Sequence, residues 1–141
     1  MSETQPTDAG AIVAALARAL DADDLAAART LLADDCVYEA GSGTHRGPEA
    51  IVASYGEASA RARRAFDEVR YASEVGPAAG ATVTVTFTDY LLKAGGRWHR
   101  YRCRQVFTVG AAGRIVRIVH REIPGEREAL EAYFRECGIE R

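Results

Sequence analysis

An aspartate, a tyrosine and a histidine stand on three successive stretches of alternating sequence, and together they could move a proton. Asp89 shares a period-two stripe with Val83, Val85, Phe87 and Leu91, while threonines and Tyr90 fill the positions between. Tyr101 falls on the stripe of His99, Cys103, Gln105, Phe107 and Val109, with Trp98 and three arginines on the other face. His120 lies two residues after Ile118 in a last apolar run. Such alternation is the mark of strands with one buried face. A carboxylate and an imidazole can exchange protons near neutral pH, and a tyrosine between them can donate to a developing oxyanion.

Two turns predict how these residues meet. Gly95-Gly96 sets Asp89 opposite Tyr101. The turn at Gly110 to Gly113 sets Tyr101 opposite His120, and His99 opposite Glu122. With strands ~4.8 Å apart, Asp89 and His120 would stand roughly 10 Å apart and could touch one ligand. Asp89, His120 and Tyr101 are therefore the expected catalytic set. Tyr38, Tyr55, His99, Gln105 and Glu122 are the expected ligand contacts. Polar groups on a face that should be apolar destabilise the fold unless they are paired or serve a purpose. Ordinary structural roles remain open beside the chemical ones. Asp89 reads equally as a solvated rim carboxylate, and His120 as a core histidine bonded to Tyr101. His99 and Glu122 read as a rim pair, and Tyr38 and Tyr55 as core aromatics whose hydroxyls find partners. Gln105 reads as a structural or ligand-orienting residue. His45 lies on a loop with no expected role.

The elements that must position this set follow from the chain. Thr7 or Asp8 caps a first helix running to about Leu20, with Ile12, Val13, Leu16 and Leu20 on one side. A second helix starts after the Asp21–Asp24 run and carries Leu25, Ala28, Leu31 and Leu32, and Asp34-Asp35 ends it. Cys36 to Ala40 is a short strand, and Gly41 to Gly47 a loop. Pro48 opens a third helix, where its missing N–H matters little. Strands over 66–75, 81–92, 97–109 and 114–123 follow, then a helix from Pro124 that Gly138 ends. Helices first, strands next and a closing helix give α+β: a strongly curved, mostly antiparallel meander covered by the N-terminal helices, with a C-terminal helix. Residues 1–7 are expected to be disordered and 8–141 to form a single domain.

Composition bounds the function. At 141 residues the chain can bury a core without disulfides or a structural metal. A net charge of −2 gives no general pull toward nucleic acid or anionic membrane. The polar start has no signal-peptide run, and no stretch is long enough to span a bilayer, so a cytoplasmic protein is expected. Cys36, Cys103 and Cys137 are odd in number and widely spaced, and form neither a disulfide framework nor a metal site. Arg100, Arg102, Arg104, Arg117 and Arg121 share the outer face with Trp98 and Tyr90. A solvated basic face is the first reading and a homodimer contact through the sheet the second. The chain has no recognised nucleic-acid motif.

Two segments carry a resemblance. One runs from Asp24-Leu25 through Leu31-Leu32-Ala33-Asp34-Asp35-Cys36-Val37-Tyr38-Glu39 to Thr44-His45-Arg46-Gly47-Pro48. The other is Gln105-Val106-Phe107-Thr108-Val109 followed by Gly113-Arg114-Ile115-Val116-Arg117-Ile118. These resemble the nuclear transport factor 2-like superfamily in its SnoaL-like branch, over nearly the whole chain. The resemblance implies a cone-shaped fold around a small-molecule pocket. It does not fix a reaction, because the superfamily includes ketosteroid isomerases, polyketide cyclases, limonene epoxide hydrolases, scytalone dehydratases and non-catalytic modules. Of the ketosteroid isomerase set, only the supporting tyrosine is kept, as Tyr55. The catalytic acid falls on Ala40, the oxyanion tyrosine on Leu16 and the assisting acid on Gln105. Of the limonene epoxide hydrolase set, Asp89 matches the first aspartate, while the arginine position is Phe87 and the second aspartate position is His120. The resemblance and the residues together imply a cofactor-independent acid–base enzyme acting on a small hydrophobic molecule: a cyclase, isomerase, dehydratase or epoxide hydrolase, with secondary metabolism as its setting. The alternative is a non-catalytic small-molecule-binding or dimerisation module. The resemblance also favours a homodimer through the sheet.

Overall fold

The computed structural model describes residues 8–139, so the expected disorder of residues 1–7 lies outside the described residues. The chain opens with helix α1 (Ala9–Asp21), whose cap is Asp8, its carboxylate accepting from the Ala11 N–H at 3.1 Å. Such a cap satisfies one of the helix's orphan donors. Asp24 does the same for α2 (Leu25–Thr30) through the Ala27 N–H.

Strand β1 (Leu32–Ala40) begins directly after α2, so the expected second helix is shorter and the strand longer than the sequence suggests. Asp34 and Asp35 do not end a helix. They sit exposed in an irregular stretch of the strand, between its pairings at Leu32 and Val37. A bulge tolerates turn-type residues because its extra positions are left unpaired. The expected loop after Ala40 contains strand β2 (Gly43–Arg46), which pairs back on β1 through a two-residue connection, Gly41-Ser42. Helix α3 (Pro48–Ala65) follows, then β3 (Glu68–Val75), β4 (Thr82–Leu92), β5 (Trp98–Val109), β6 (Ile115–Glu122) and α4 (Glu126–Glu136).

The six strands form one curved sheet in the order β2-β1-β6-β5-β4-β3, antiparallel except for β1 on β6. The alternation places the apolar stripes of β4 and β5 inward. Val83, Val85, Phe107, Ile115 and Ile118 are fully buried, packed with Val13, Leu16 and Ile51 from the helices. A second cluster at the other end joins Phe66, Val69, Leu91 and Tyr101 to Tyr133 of α4. Tyr90 and Trp98 stand on the outer face among the arginines, with Arg70 over the Trp98 ring. No helix among the described residues is long and apolar enough to cross a membrane.

Candidate functional site

The helices do not fill the hollow of the sheet. A cavity of about 870 Å³ remains, walled by β1, β3–β6, the end of α1 and α3. Leu20, Leu25, Ala58, Phe87 and Tyr55 give it apolar surface, and two polar groups of different character line it.

One is Asp89. Register places it in a cross-strand row with Tyr71 of β3 and Tyr101 of β5, all three facing the cavity. Among the described residues nothing donates a hydrogen bond to Asp89 and no cation pairs with it. Burial pushes its carboxyl up to about 7, and the charge of Asp21 adds to the effect. A carboxylate without donors disfavours its own charge in this way. Asp21 ends α1 and lines the same cavity, its carboxylate accepting from the Ser73 hydroxyl at 2.6 Å. Burial raises Asp21 as well. Beside them, the Tyr71 and Ser59 hydroxyls meet at 2.9 Å, and Ser59 donates to Asp23, which Arg63 also holds.

The other is a connected wall. Tyr55 donates to Gln105 Oε1 at 2.6 Å, and Gln105 Nε2 donates to Tyr38 at 2.9 Å. Tyr38 and Tyr55 also stack, with ring centroids 5.1 Å apart. Gln105 Nε2 lies 3.3 Å from His120 Nδ1, and His120 Nε2 lies 2.7 Å from Glu122 Oε2. Tyr101 donates to Glu122 Oε1 at 3.2 Å. Arg127 of α4 reaches Glu122 at 3.1 Å and Tyr101 at 3.4 Å. Burial alone would raise Glu122, but the hydrogen bonds from Arg127 and His120 outweigh it and hold the carboxyl below the usual range. Burial raises the Tyr101 hydroxyl and lifts the Cys103 thiol to about 12, so neither ionises near neutrality.

The structure brings together seven of the eight residues expected from sequence. Asp89 is opposite Tyr101 as the Gly95-Gly96 turn implied. The second hairpin is corrected. His120 pairs with Gln105 and Glu122 with Cys103, not with Tyr101 and His99. The connection after Val109 is longer than the turn implied, and a register shift at Thr108/Val109 moves β6 along β5. The slide preserves strand parity, so every side chain keeps its face. Along the sheet it takes His120 to roughly 17 Å from Asp89 between Cα atoms, instead of roughly 10 Å. Glu122 stands roughly 12 Å away on the same measure.

His99 is not at the rim and does not line the cavity. It is buried at 8% exposure, stacked on Tyr133 with centroids 4.8 Å apart, and its Nε2 has no partner among the described residues. The reason is α4. Since β6 ends opposite Cys103, residues 98–102 of β5 have no strand neighbour on that side, and α4 packs there, Glu126 accepting from the Arg102 N–H at 2.8 Å. Sequence reasoning missed Asp21 and Arg127. Each sits on a helix whose docking against the sheet no local pattern encodes. A carboxylate at the end of an apolar helix stripe was the one available signal for Asp21.

Residues 13–118 match the family model described as a SnoaL-like domain. No curated protein matches the chain. Solved structures share the fold over nearly its full length. A candidate polyketide cyclase from Xanthomonas campestris is 18% identical, with a TM-score of 0.66, covering 95% of this chain and 99% of its own. An LEH-like epoxide hydrolase from M. tuberculosis is 24% identical, with a TM-score of 0.62 and 99% of each chain covered. A candidate polyketide cyclase from Pseudomonas putida is 21% identical, with a TM-score of 0.60, covering 84% of this chain and 94% of its own.

Proposed function

This chain belongs to the SnoaL-like domain family, and from that premise we propose that its cavity is the active site of a cofactor-independent acid–base enzyme. The substrate is a small, largely apolar molecule that carries a carbonyl or epoxide oxygen. The observation that carries the reading is the isolation of Asp89: a cavity-facing carboxyl with no hydrogen-bond donor or cation among the described residues, pushed up to about 7 by burial. Such a group can hold or release a proton at neutral pH, which is where a general acid or base works best. The similar structures named as a candidate polyketide cyclase and an epoxide hydrolase support chemistry that closes or opens a ring.

Asp89 is the proton carrier in this reading. Arg127, which lines the cavity, orients the substrate oxygen and stabilises charge that develops there, while Tyr101, the direct neighbour of Asp89 on β5, gives its hydroxyl hydrogen to Glu122 and shapes the wall. His120 changes role relative to the sequence expectation. Both of its ring nitrogens are engaged, so it supports Glu122 rather than exchanging protons with Asp89. The test is turnover of a panel of β-dicarbonyl compounds and small epoxides by the wild type and Asp89→Asn. The wild-type rate is expected to turn near pH 7, and the variant to lose at least about 100-fold at every pH. Equal rates in the two proteins on a compound that the wild type turns over would remove Asp89 from the mechanism.

A non-catalytic binding module is the second reading. It is favoured by one feature, the wall of Tyr55, Gln105, His120 and Glu122, whose polar groups satisfy one another. Under it, Asp89→Asn changes ligand affinity, and no compound in the panel is turned over by either protein.

A further inference from the structure

Gln105 is buried at 4% exposure in the middle of the polar wall, where a misdirected amide could find no bulk water to correct it. Its three contacts, with Tyr55, Tyr38 and His120, involve both ends of the amide. The direction of each bond follows from the far end of the chain. Glu122 is held as a carboxylate by Arg127 and has only lone pairs to offer. The 2.7 Å contact with His120 Nε2 therefore places a hydrogen on that nitrogen. A neutral imidazole with Nε2–H has a lone pair on Nδ1. Nδ1 faces the amide nitrogen of Gln105, which supplies a hydrogen at 3.3 Å. The second amide hydrogen goes to Tyr38, and the amide oxygen accepts from Tyr55. In this orientation both amide hydrogens meet acceptors and the amide oxygen meets a donor. Turned the other way, Gln105 would set its oxygen against the Nδ1 lone pair, an arrangement that only an added proton on His120 could relieve.

We propose that Gln105 is a positioning residue that keeps a lone pair on His120 Nδ1, so that the ring, whose Nε2 hydrogen is fixed by Glu122, stays in its Nε2–H tautomer and holds Glu122 in place. Its action passes through His120: with Nδ1 occupied, the ring is locked in angle and tautomer, and Nε2–H pins Glu122 Oε2. Oε1 is then left to Tyr101, the residue beside Asp89. Gln105 thereby reaches the reacting end of the cavity without facing it. The charged and titratable groups around His120 in this arrangement are Glu122 on its own strand, Arg127 from α4 and Tyr38 from β1. The proposal holds whether or not Asp89 carries the proton in turnover.

The experiment is long-range 1H–15N correlation spectroscopy of the histidine rings in the full chain at pH 7. His120 is assigned by the signals that vanish in His120→Gln. In the wild type, His120 is expected to show a protonated Nε2 and an unprotonated Nδ1, without averaging between tautomers. Gln105→Glu replaces the donor with a carboxylate. It is expected to convert the ring to the doubly protonated pattern at the same pH. Tyr55→Phe, which frees the amide to turn its oxygen toward Nδ1, is expected to add the doubly protonated ring to the wild-type pattern while leaving the fold intact. A wild-type ring protonated at Nδ1, or one that averages between tautomers, would overturn the proposal without need of any variant. So would a Gln105→Glu protein, folded by circular dichroism, whose His120 pattern is unchanged. None of these readings depends on turnover, so the proposal and the function of Asp89 can fail separately.

Discussion

Asp89 illustrates how a residue suited to chemistry weakens the fold that holds it. Its carboxyl titrates near 4 in the unfolded chain and at about 7 in the folded one. Below the unfolded value both states are protonated and Asp89 carries no penalty. As pH rises from there through the folded value, the unfolded state gives up its proton first and stability falls. Asp89→Asn removes that titration. The variant is expected to be more stable than the wild type at pH 8 by up to about 4 kcal/mol, with the gap closing by pH 4. Urea unfolding at the two pH values measures it. An equal gap at both would mean that the carboxyl is solvated in the folded state. Glu122→Gln makes the opposite case. It weakens a half-exposed ion pair with Arg127 and is expected to destabilise by about 1 kcal/mol at pH 7, read from the same unfolding curves. At this scale the sequence was informative where chemistry stood on strands. Asp89 and Tyr101 meet because a short glycine turn fixes their register. Asp21 and Arg127 were not legible, because their place depends on how helices dock.

Elements show why a face can be legible while a neighbour is not. Period-two alternation assigned every inward residue of β4 and β5 correctly, since parity is all a face requires. Pairing across the β5–β6 turn demanded the length of the connection and its bulge, and composition encodes neither. Gly110 now explains part of that connection. A Cβ built there would meet Val116 Cγ1 at 2.7 Å, and the Gly110 N–H is already committed to the Arg114 carbonyl at 2.8 Å. Gly110→Ala is therefore expected to destabilise by about 1–3 kcal/mol through overpacking of the hairpin base. Thermal unfolding checks it, and a neutral result would show that Val116 gives way. The strand Gly43–Arg46 was missed for a similar reason. A four-residue strand after Gly41-Ser42 has too few positions for alternation to register.

Across the whole molecule, α4 ties the second apolar cluster to the cavity. Tyr133 packs on His99 and donates to the Arg97 carbonyl, while Arg127 on the same helix holds Glu122. His99 has its titration moved down, chiefly by burial and then by Arg97. Its neutral form is thus the one the fold accepts. Above about pH 6.5 both folded and unfolded states keep it neutral, and it imposes no penalty. As pH falls below that value, the unfolded state binds the proton more readily and stability drops. The protection factors of the α4 amides, corrected for the slower intrinsic exchange at low pH, are expected to fall between pH 7.5 and 5.5, and His99→Phe to abolish that response. Protection that is equal at both pH values would separate α4 docking from His99.

The parallel pairing of β1 on β6 bears on the order in which the chain can assemble. Strands β3 to β6 follow one another through short connections and can zip together locally. β1 and its β2 hairpin emerge early but have no sheet partner until residues 115–122 arrive. Closing a contact across so much of the chain carries a large loop entropy and slows folding. During synthesis the first half must therefore wait, its strand edge unpaired. Destabilising β6 should trap the chain with β1 free, a state prone to pair with another copy of itself.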